Sequence, residues 1–593
     1  MAQWFIAAKK ADFNRIAEKF HIDPVLARII RNRDVTKEED IRKYLYGGRE
    51  ALYAPQLLKD MDKAVELLWG KIAEGAKIRV IGDYDADGIC AAYILVKGLS
   101  ECGAKVDTVI PHRIKDGYGL NDALIEEAAQ EGVDTIVTCD NGIAAGKQVA
   151  LAKELGMTVI VTDHHETPYE ETEDGGRRFL LPEADAVIDP KQEECGYPFS
   201  NICGAAVAYK LVQRLLECKG DRKERTGFGD LLGELLEIAA FATVCDVMEL
   251  RDENRIIVKC GLESMQHTTN MGLKALIEVC GLEGKTLSAY HIGFVLGPCV
   301  NATGRLDTAK RALALLQSTD RAEAVRIANE LKELNESRKE MTLAGVEQAV
   351  ELIEGSSWKE DKALVVYMPE VHESLAGIIA GRIREKYGKP VFVLTMGEEG
   401  VKGSGRSIEG YHMYEEMTAC KEYFTKYGGH KMAAGLSMKE ENVEAFRKKL
   451  NACCRLTEAD FEEKVHIDVA MPLAYLTKEL VGQLALLEPF GVGNAKPVFA
   501  QKEVHILNGR ILGKNRNVGK YYVTDGAGTY YDMMYFGDLD AFHFFLTQKA
   551  GEYMVNKLYS GERVDILLGI TYYPDINRYG GKESVQIVMQ HYR

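Results

Sequence analysis

The chain has 593 residues, 46% hydrophobic and 28% charged, close to globular averages, which excludes a disordered or fibrous protein. At roughly 150 residues per domain, this length points to about three to four domains. The net charge of −16 argues against a protein that coats nucleic acid non-specifically, because phosphate binding needs surplus Lys and Arg; any nucleic-acid path must be locally basic.

The N-terminal run MAQWFIAAKKADF is too briefly apolar for a secretory signal. No later stretch approaches a bilayer-spanning length, so no membrane association is expected. The 13 cysteines form no CxxC pair, and with no export signal they read as buried thiols in a reducing cytoplasm.

After an N-terminal segment (1–50), short β-rich runs alternate with helical patterns from Lys77 to about Asp189: KIRVIGD, KVDTVIPH, DTIVTCD and TVIVTDHH are each followed or separated by amphipathic stretches. Continuous apolar strands of this kind are buried on both faces, which predicts a parallel sheet covered by helices. With the helical GAAVAYKLVQRLLEC and LLGELLEIAAFATVCDVMEL, this makes an α/β domain over 51–319. Ala324, Ile327, Leu331 and Leu334 at helical spacing predict a long connecting helix over 320–354. ALVVYM and PVFVLT around LAGIIAGRIREKY predict a smaller α/β domain over 355–455. The aromatic-rich VGKYYVTD, TYYDMMYFG and RVDILLGITYYP predict a small β-barrel over 456–593.

GDYDADG places Asp83, Asp85 and Asp87 at the end of the first strand, where alternate residues project to one side. An EF-hand calcium loop also begins D-x-D-x-D-G, but its twelfth position would be Glu and here is Ile94, and a strand rather than a helix precedes it. A solvated acidic turn is the plainer alternative; three carboxylates repel one another without a cation, which favours a metal site. TCDNG puts Asp140 at a second strand end, and VTDHHE adds Asp163, His164 and His165 at a third. Singly, a helix cap or a surface His pair explains each. Together they fall on the rim outside the carboxyl ends of parallel strands, where α/β sheets bind ligands. Oxygen ligands with imidazole suit Mn²⁺ or Mg²⁺ rather than thiolate-bound zinc. Two such ions sharing a carboxylate are suited to phosphodiester hydrolysis.

The series GDYDADG, PHRIKDGYGLN, TCDNG, VTDHHE, TVCDVMELRDENR, NATGRLD, GSGRS, GGHKMAAG and EPFGVGNAKPVF resembles, in order and over nearly the whole chain, the DHH phosphoesterase superfamily and its RecJ branch in particular. The resemblance implies that Asp85, Asp87, Asp140, His164 and Asp246 hold the metal, with Asp140 bridging two ions and Asp83 as ligand or support. Asp163 would orient an imidazole, and His165 would meet the scissile phosphate or the leaving group. It further implies a DHH-associated domain in which Gly428, Gly429 and His430 offer donors, a pocket for the 5′ phosphate built from Arg113, Ser404 and Arg406, and Arg305 on a neighbouring phosphate. The C-terminal region resembles an OB-type nucleic-acid-binding barrel. Val371 and Ser374 stand where the family commonly has Trp and Gly, and Cys245 and Glu249 where Ala and Pro are usual; these departures touch the grip on the strand and leave the acids intact.

The expected function is thus a two-metal, processive 5′ to 3′ exonuclease that degrades single-stranded DNA to 5′ mononucleotides in repair and recombination. A channel between the two α/β domains would admit one strand. Single-strand binding protein and a RecQ-type helicase are the implied partners. The competing readings are a DHH phosphodiesterase of short oligonucleotides or cyclic dinucleotides, which the additional C-terminal domain disfavours, and a non-catalytic DNA-binding scaffold, which the intact acids disfavour.

Overall fold

The computed structural model describes residues 3–113, 115–172, 175–219, 228–398, 400–579 and 582–593, and the chain divides into two compact units.

The larger unit comprises residues 52–249 and 253–462. Its first lobe is built on five strands, β1 (Lys77–Ile81), β2 (Lys105–Val109), β3 (Thr135–Cys139), β4 (Thr158–Thr162) and β5 (Ala186–Ile188), all parallel in the order β2-β1-β3-β4-β5. On one face, helices α1 (Ala86–Glu101), α4 (Gly204–Cys218) and α5 (Phe228–Cys245) pack together. α1 and α4 come so close that a methyl group at Gly98 would lie 2.4 Å from Val212. On the other, α2 (Asp122–Gln130) and α3 (Gly146–Glu154) bury Leu124, Ile125, Val149 and Ala152 against Ile81, Ile136, Val159 and Val161. The strand order reverses between β1 and β3, and the crevice at such a reversal is where this class of sheet binds ligands.

Beyond the sheet, α6 (Gly297–Leu306) is preceded without a break by the helical turn Ala289–His291 and a π-helical turn, Ile292–Leu296. The expected connecting helix is α7 (Arg321–Glu354), capped by Asp320, whose side chain accepts from Glu323 N. The second lobe carries β6 (Leu364–Tyr367), α8 (Ala376–Tyr387), β7 (Val391–Gly397), β8 (Gly400–Arg406), β9 (Phe424–Gly429) and β10 (Ala433–Met438), in the order β9-β10-β8-β7-β6 with only β6 and β7 parallel.

The smaller unit joins the N-terminal segment to the C-terminal region: residues 3–51, 250–252 and 463–593. The strand Gln3–Ile6 pairs in parallel with Lys464–Ile467. Leu26, Ile29, Ile30 and Ile41 share one core with Phe499, Tyr521, Tyr572 and Ile587. Here β11 (Phe499–Leu512) pairs antiparallel with both β12 (Val518–Thr524) and β14 (Ile566–Tyr579), and β13 (Tyr530–Tyr535) runs parallel to β15 (Lys582–Tyr592). Among the described residues, no helix is long and apolar enough to cross a membrane.

Candidate active site

The acidic run after β1 turns directly into α1. Asp85 is the N-cap, accepting from Asp87 N (2.9 Å) and Gly88 N (3.1 Å), so it satisfies two of the orphan donors of the first turn. Asp87 then lies within that turn, buried, and its two oxygens accept from Gly204 N (2.7 Å) and Ala205 N (2.8 Å). These are free donors at the start of α4, whose own N-cap, Cys203, supplies no side-chain bond. The partial positive charge there complements a carboxylate.

Asp140 follows β3 with φ of +61°, a left-handed conformation that Asp tolerates better than most residues. Its amide donates to Thr162 O on β4, and Tyr118 Oη donates to its carbonyl at 2.9 Å. Only glycine fits opposite it: a methyl group at Gly204 would lie 2.7 Å from Asp140 Cβ.

After β4, Asp163 is saturated by donors. Oδ1 accepts from His164 N (2.7 Å) and His165 N (3.2 Å) and lies 2.7 Å from His165 Nδ1, while Oδ2 accepts from Ile143 N (2.9 Å). Burial alone would raise the Asp163 carboxyl, but the His165 contact and these amides hold it below its ordinary value. Burial would likewise lower His165, yet Asp163 outweighs it and lifts the imidazole to about 9. Both Asp163 oxygens are thus engaged by donors of its own loop and of Ile143.

His164 Nε2 points into the cluster, 3.0 Å from Asp140 Oδ1, 3.6 Å from Asp87 Oδ2 and 3.9 Å from Asp246 Oδ2. Three sets of side chains converge closely enough to share an ion: Asp83, Asp85 and Asp140; Asp87, His164 and Asp246; and Asp140, His164 and His165. Asp140 and His164 each belong to two of them. Asp246 lies just past the end of α5 rather than within the helix. Val247 takes φ of +57°, and the amides of Val247 and Met248 fold back onto the carbonyls of Val244 and Thr243. This is a Schellman ending, in which Gly is the usual residue at the left-handed position.

The donor set fits divalent cations. Asp83 Oδ1 and Asp140 Oδ1 are buried without a hydrogen bond, a costly state for a carboxylate oxygen that a cation relieves. Burial, then repulsion from neighbouring carboxylates, pushes Asp83 up to about 7 and Asp246 up to about 8, and raises Asp87 and Asp140 as well. Burial holds His164 below its ordinary value, so this imidazole is neutral and available as a ligand at neutral pH.

Tyr84, between Asp83 and Asp85, opens onto a cavity of about 590 Å³ that is also lined by Arg113, Arg305, Ser374, Ser404, Arg406, Lys426 and Gly428. The Arg113 guanidinium stacks over the Tyr84 ring at 4.7 Å. Arg305 donates to Ser374 O (2.8 Å), and Arg406 to Ser404 Oγ (3.1 Å). Burial, followed by repulsion from Arg113, lowers Arg305 to about 10. Crowded, partly desolvated arginines of this kind are stabilised by an anion. Gly429 and His430 do not line this cavity; Gly429 pairs with Ala434 and His430 N donates to Ala433 O at the end of the β9–β10 hairpin.

Several contributors carry no local sequence signal. Gly204 and Ala205 reach Asp87 from a distant helix, and Asn301 Oδ1 accepts from Ala86 N at 3.0 Å. Tyr118 and Asn301 lie within PHRIKDGYGLN and NATGRLD, the motifs that also carry Arg113 and Arg305. Asp189, at the end of β5, is buried and pushed up to about 7 by burial and by Asp163.

Residues 77–243 match the DHH family N-terminal domain, 360–456 the DHHA1 domain and 467–591 the RecJ OB domain. The chain is 35% identical over 505 residues to the single-stranded-DNA-specific exonuclease RecJ of Bacillus subtilis, covering 84% of this chain and 61% of that protein, less than two thirds of the relative's length. It is 34% identical to the RecJ of Escherichia coli, covering 83% of this chain and 85% of that one. A crystal structure of Thermus thermophilus RecJ in complex with Mn²⁺ superimposes with a TM-score of 0.80 at 28% identity, covering 100% of this chain and 79% of that one. The corresponding Mg²⁺ complex gives 0.75 at 26% identity, covering 100% and 78%. With the three domain matches in order and identity sustained over most of both chains, this chain belongs to the RecJ family of single-stranded-DNA-specific exonucleases.

Proposed function

We propose that this chain hydrolyses single-stranded DNA from the 5′ end to 5′ mononucleotides, using two divalent cations, Mn²⁺ or Mg²⁺. The observation that carries this reading is the place of Tyr84, flanked by Asp83 and Asp85 of the carboxylate rim and itself lining the arginine cavity. An anchored terminal phosphate would thus sit beside the hydrolytic centre. Asp87, His164 and Asp246 would hold one ion and Asp83, Asp85 and Asp140 the other, with Asp140 shared. Bound ions of this type polarise a phosphoryl oxygen and make water acidic enough to attack at neutral pH.

The protein's own groups do the rest. Arg113, Arg305 and Arg406 offer fork-shaped donors to the terminal and adjacent phosphates. His165 is held through Nδ1 by Asp163, and its Nε2, 3.3 Å from Tyr118 Oη, would donate a proton toward the departing oxygen. Asp163 fixes the ring and favours its charged form. Mn²⁺ and Mg²⁺ in the relative's crystal structures support the choice of ion. A role in DNA repair and recombination in the cytoplasm, alongside a single-strand binding protein and a RecQ-type helicase, follows from the family resemblance.

The test incubates wild type and Asp140→Ala with Mn²⁺ and a 5′-phosphorylated strand labelled at either end. Release of 5′ mononucleotides from the single strand, absent in the variant and weak on blunt duplex, is expected. Cleavage confined to very short oligonucleotides or cyclic dinucleotides would replace the reading with a small-substrate phosphodiesterase, and binding without cleavage would replace it with a scaffold.

A further inference from the structure

Cys280 and Cys299 bring their sulfurs to within 4.0 Å of each other from two different helices. Cys280 is half-buried and ends the helix Met271–Val279; Cys299 is buried in the first turn of α6. The connecting helix α7 packs against both. Its Lys332, Asn335 and Lys339 follow at intervals of three and four residues, the spacing of a single helix face. Lys332 Nζ donates to Val279 O at 3.1 Å, which sets a cation at the negative end of the helix beside Cys280. Asn335 Nδ2 donates to Cys299 Sγ at 3.5 Å, and that thiol donates to Val295 O at 3.3 Å.

These surroundings separate the two thiols chemically. The hydrogen bond from Cys299, with Lys332 and Lys339 behind it, outweighs burial and holds the Cys280 thiol below its ordinary value, whereas Cys280 and burial raise Cys299. Cys90, Cys139, Cys203 and Cys245 are all pushed well up, by burial first. The thiolate is the reactive form, so Cys280 is the sulfur that an oxidant meets first, with Cys299 placed behind it to resolve the product.

We propose that Cys280 and Cys299 are a modification site at which a hydroperoxide forms a reversible disulfide, tying α6 to the helix Met271–Val279. The Cys280 thiolate attacks a peroxide oxygen, the O–O bond breaks, and the departing oxygen takes a proton from water; Cys280 is left as a sulfenic acid. The Cys299 sulfur then attacks the Cys280 sulfur. An S–S bond forms, the S–O bond breaks, and the hydroxide leaves as water with the Cys299 proton. Two thiols are oxidised, one peroxide is reduced, and a dithiol reductant reverses the cross-link. To bond, the sulfurs close from 4.0 Å to about 2 Å, and the donor that Cys299 offered to Val295 O is consumed. Asn301, which holds the Ala86 amide, and Arg305, which lines the arginine cavity, follow Cys299 within two turns of the same helix. The disulfide therefore slows cleavage of a 5′-phosphorylated strand. That consequence rests on the exonuclease reading above; the disulfide itself does not.

The experiment treats the full chain, free of metal, and its Cys280→Ser and Cys280→Ala variants with hydrogen peroxide, removes the peroxide, blocks the remaining thiols and digests with trypsin. Lys274, Lys285 and Arg305 bound two separate peptides, 275–285 and 286–305, so the disulfide appears as one cross-linked mass that dithiothreitol abolishes. That species is expected in wild type and absent from both variants. Cleavage assayed after adding Mn²⁺ should fall several-fold in oxidised wild type, recover with dithiothreitol, and stay at the untreated level in the variants. Cys280 recovered unlinked, as a free thiol or a sulfinic acid, overturns the site. A stoichiometric disulfide with unchanged cleavage, or an equal fall in the variants, overturns its hold on α6. Peptide mapping needs no turnover, so absence of cleavage in every sample removes the exonuclease reading and leaves the disulfide to be decided by its mass.

Discussion

His164 Nε2 stands 3.0 Å from Asp140 Oδ1, and that buried oxygen has no hydrogen bond. Both atoms belong to a set of ligand atoms that all lie within 4.8 Å of one another, where a cation would satisfy that oxygen. Asp140→Asn removes the carboxylate charge from the centre of the cluster while conserving its volume. The variant should fold, lose the Mn²⁺-induced rise in melting temperature and lose turnover by more than the roughly 100-fold typical of groups that only support a ligand. Differential scanning fluorimetry with and without Mn²⁺, alongside the strand assay, checks both.

Gly204→Ala acts on the same carboxylate from outside. Its methyl group would meet Asp140 Cβ at 2.7 Å and Oδ1 at 2.9 Å, and relief requires moving either Asp140 or the start of α4, whose amides hold Asp87. Overpacking of this kind costs about 1–3 kcal/mol. The expected result is a modest loss in urea stability together with weakened Mn²⁺ affinity by titration. A stable variant with native metal binding would show that this contact yields freely.

Val247 occupies the left-handed position of the α5 ending with a β-branched, exposed side chain. Gly has no steric penalty there. Val247→Gly should therefore stabilise the folded chain by a few tenths to about 1 kcal/mol, read as a higher urea midpoint. An unchanged or lower midpoint would mean that the valine's side-chain contacts offset its backbone strain.

Arg79 is buried on β1 and donates to Asp107 on β2 (two bonds of 2.8 Å) and to Glu131 (2.6 Å). Burial would raise the Asp107 carboxyl, but Arg79 outweighs it and holds it below its usual value. A depressed carboxylate contributes stability above its unfolded pKa, about 3.9, and that contribution is lost as pH falls through the lower folded value. Arg79→Met should cost about 1–3 kcal/mol at pH 7, with the penalty shrinking below about pH 4. Paired urea melts across that range provide the check; a penalty independent of pH would mean that packing, rather than charge, sets the cost.

The rim of the first lobe's sheet was legible because its residues are written locally. Each of Asp83, Asp85, Asp87, Asp140, Asp163, His164 and His165 follows a short β-rich run that reads as a buried strand, and the parallel sheet brings all such ends to one edge. The long helix Arg321–Glu354 was legible for the same reason, since its apolar spacing repeats within a few turns.

Only the tertiary structure decided the rest. No periodicity joins residues 3–51 to a sheet more than 400 residues away; a parallel pairing and a shared core do so. Nor does any local pattern turn the Gly204 and Ala205 amides toward Asp87, bring Asp246 beside His164, or place Gly428 in the arginine cavity while Gly429 and His430 end a hairpin. Sequence by itself determined which side chains stand at the ends of which elements, because that depends on backbone geometry over a few residues. Which ends meet depends on helix-to-sheet packing between distant segments, where one missing methyl group, as at Gly204, decides how closely two chains approach.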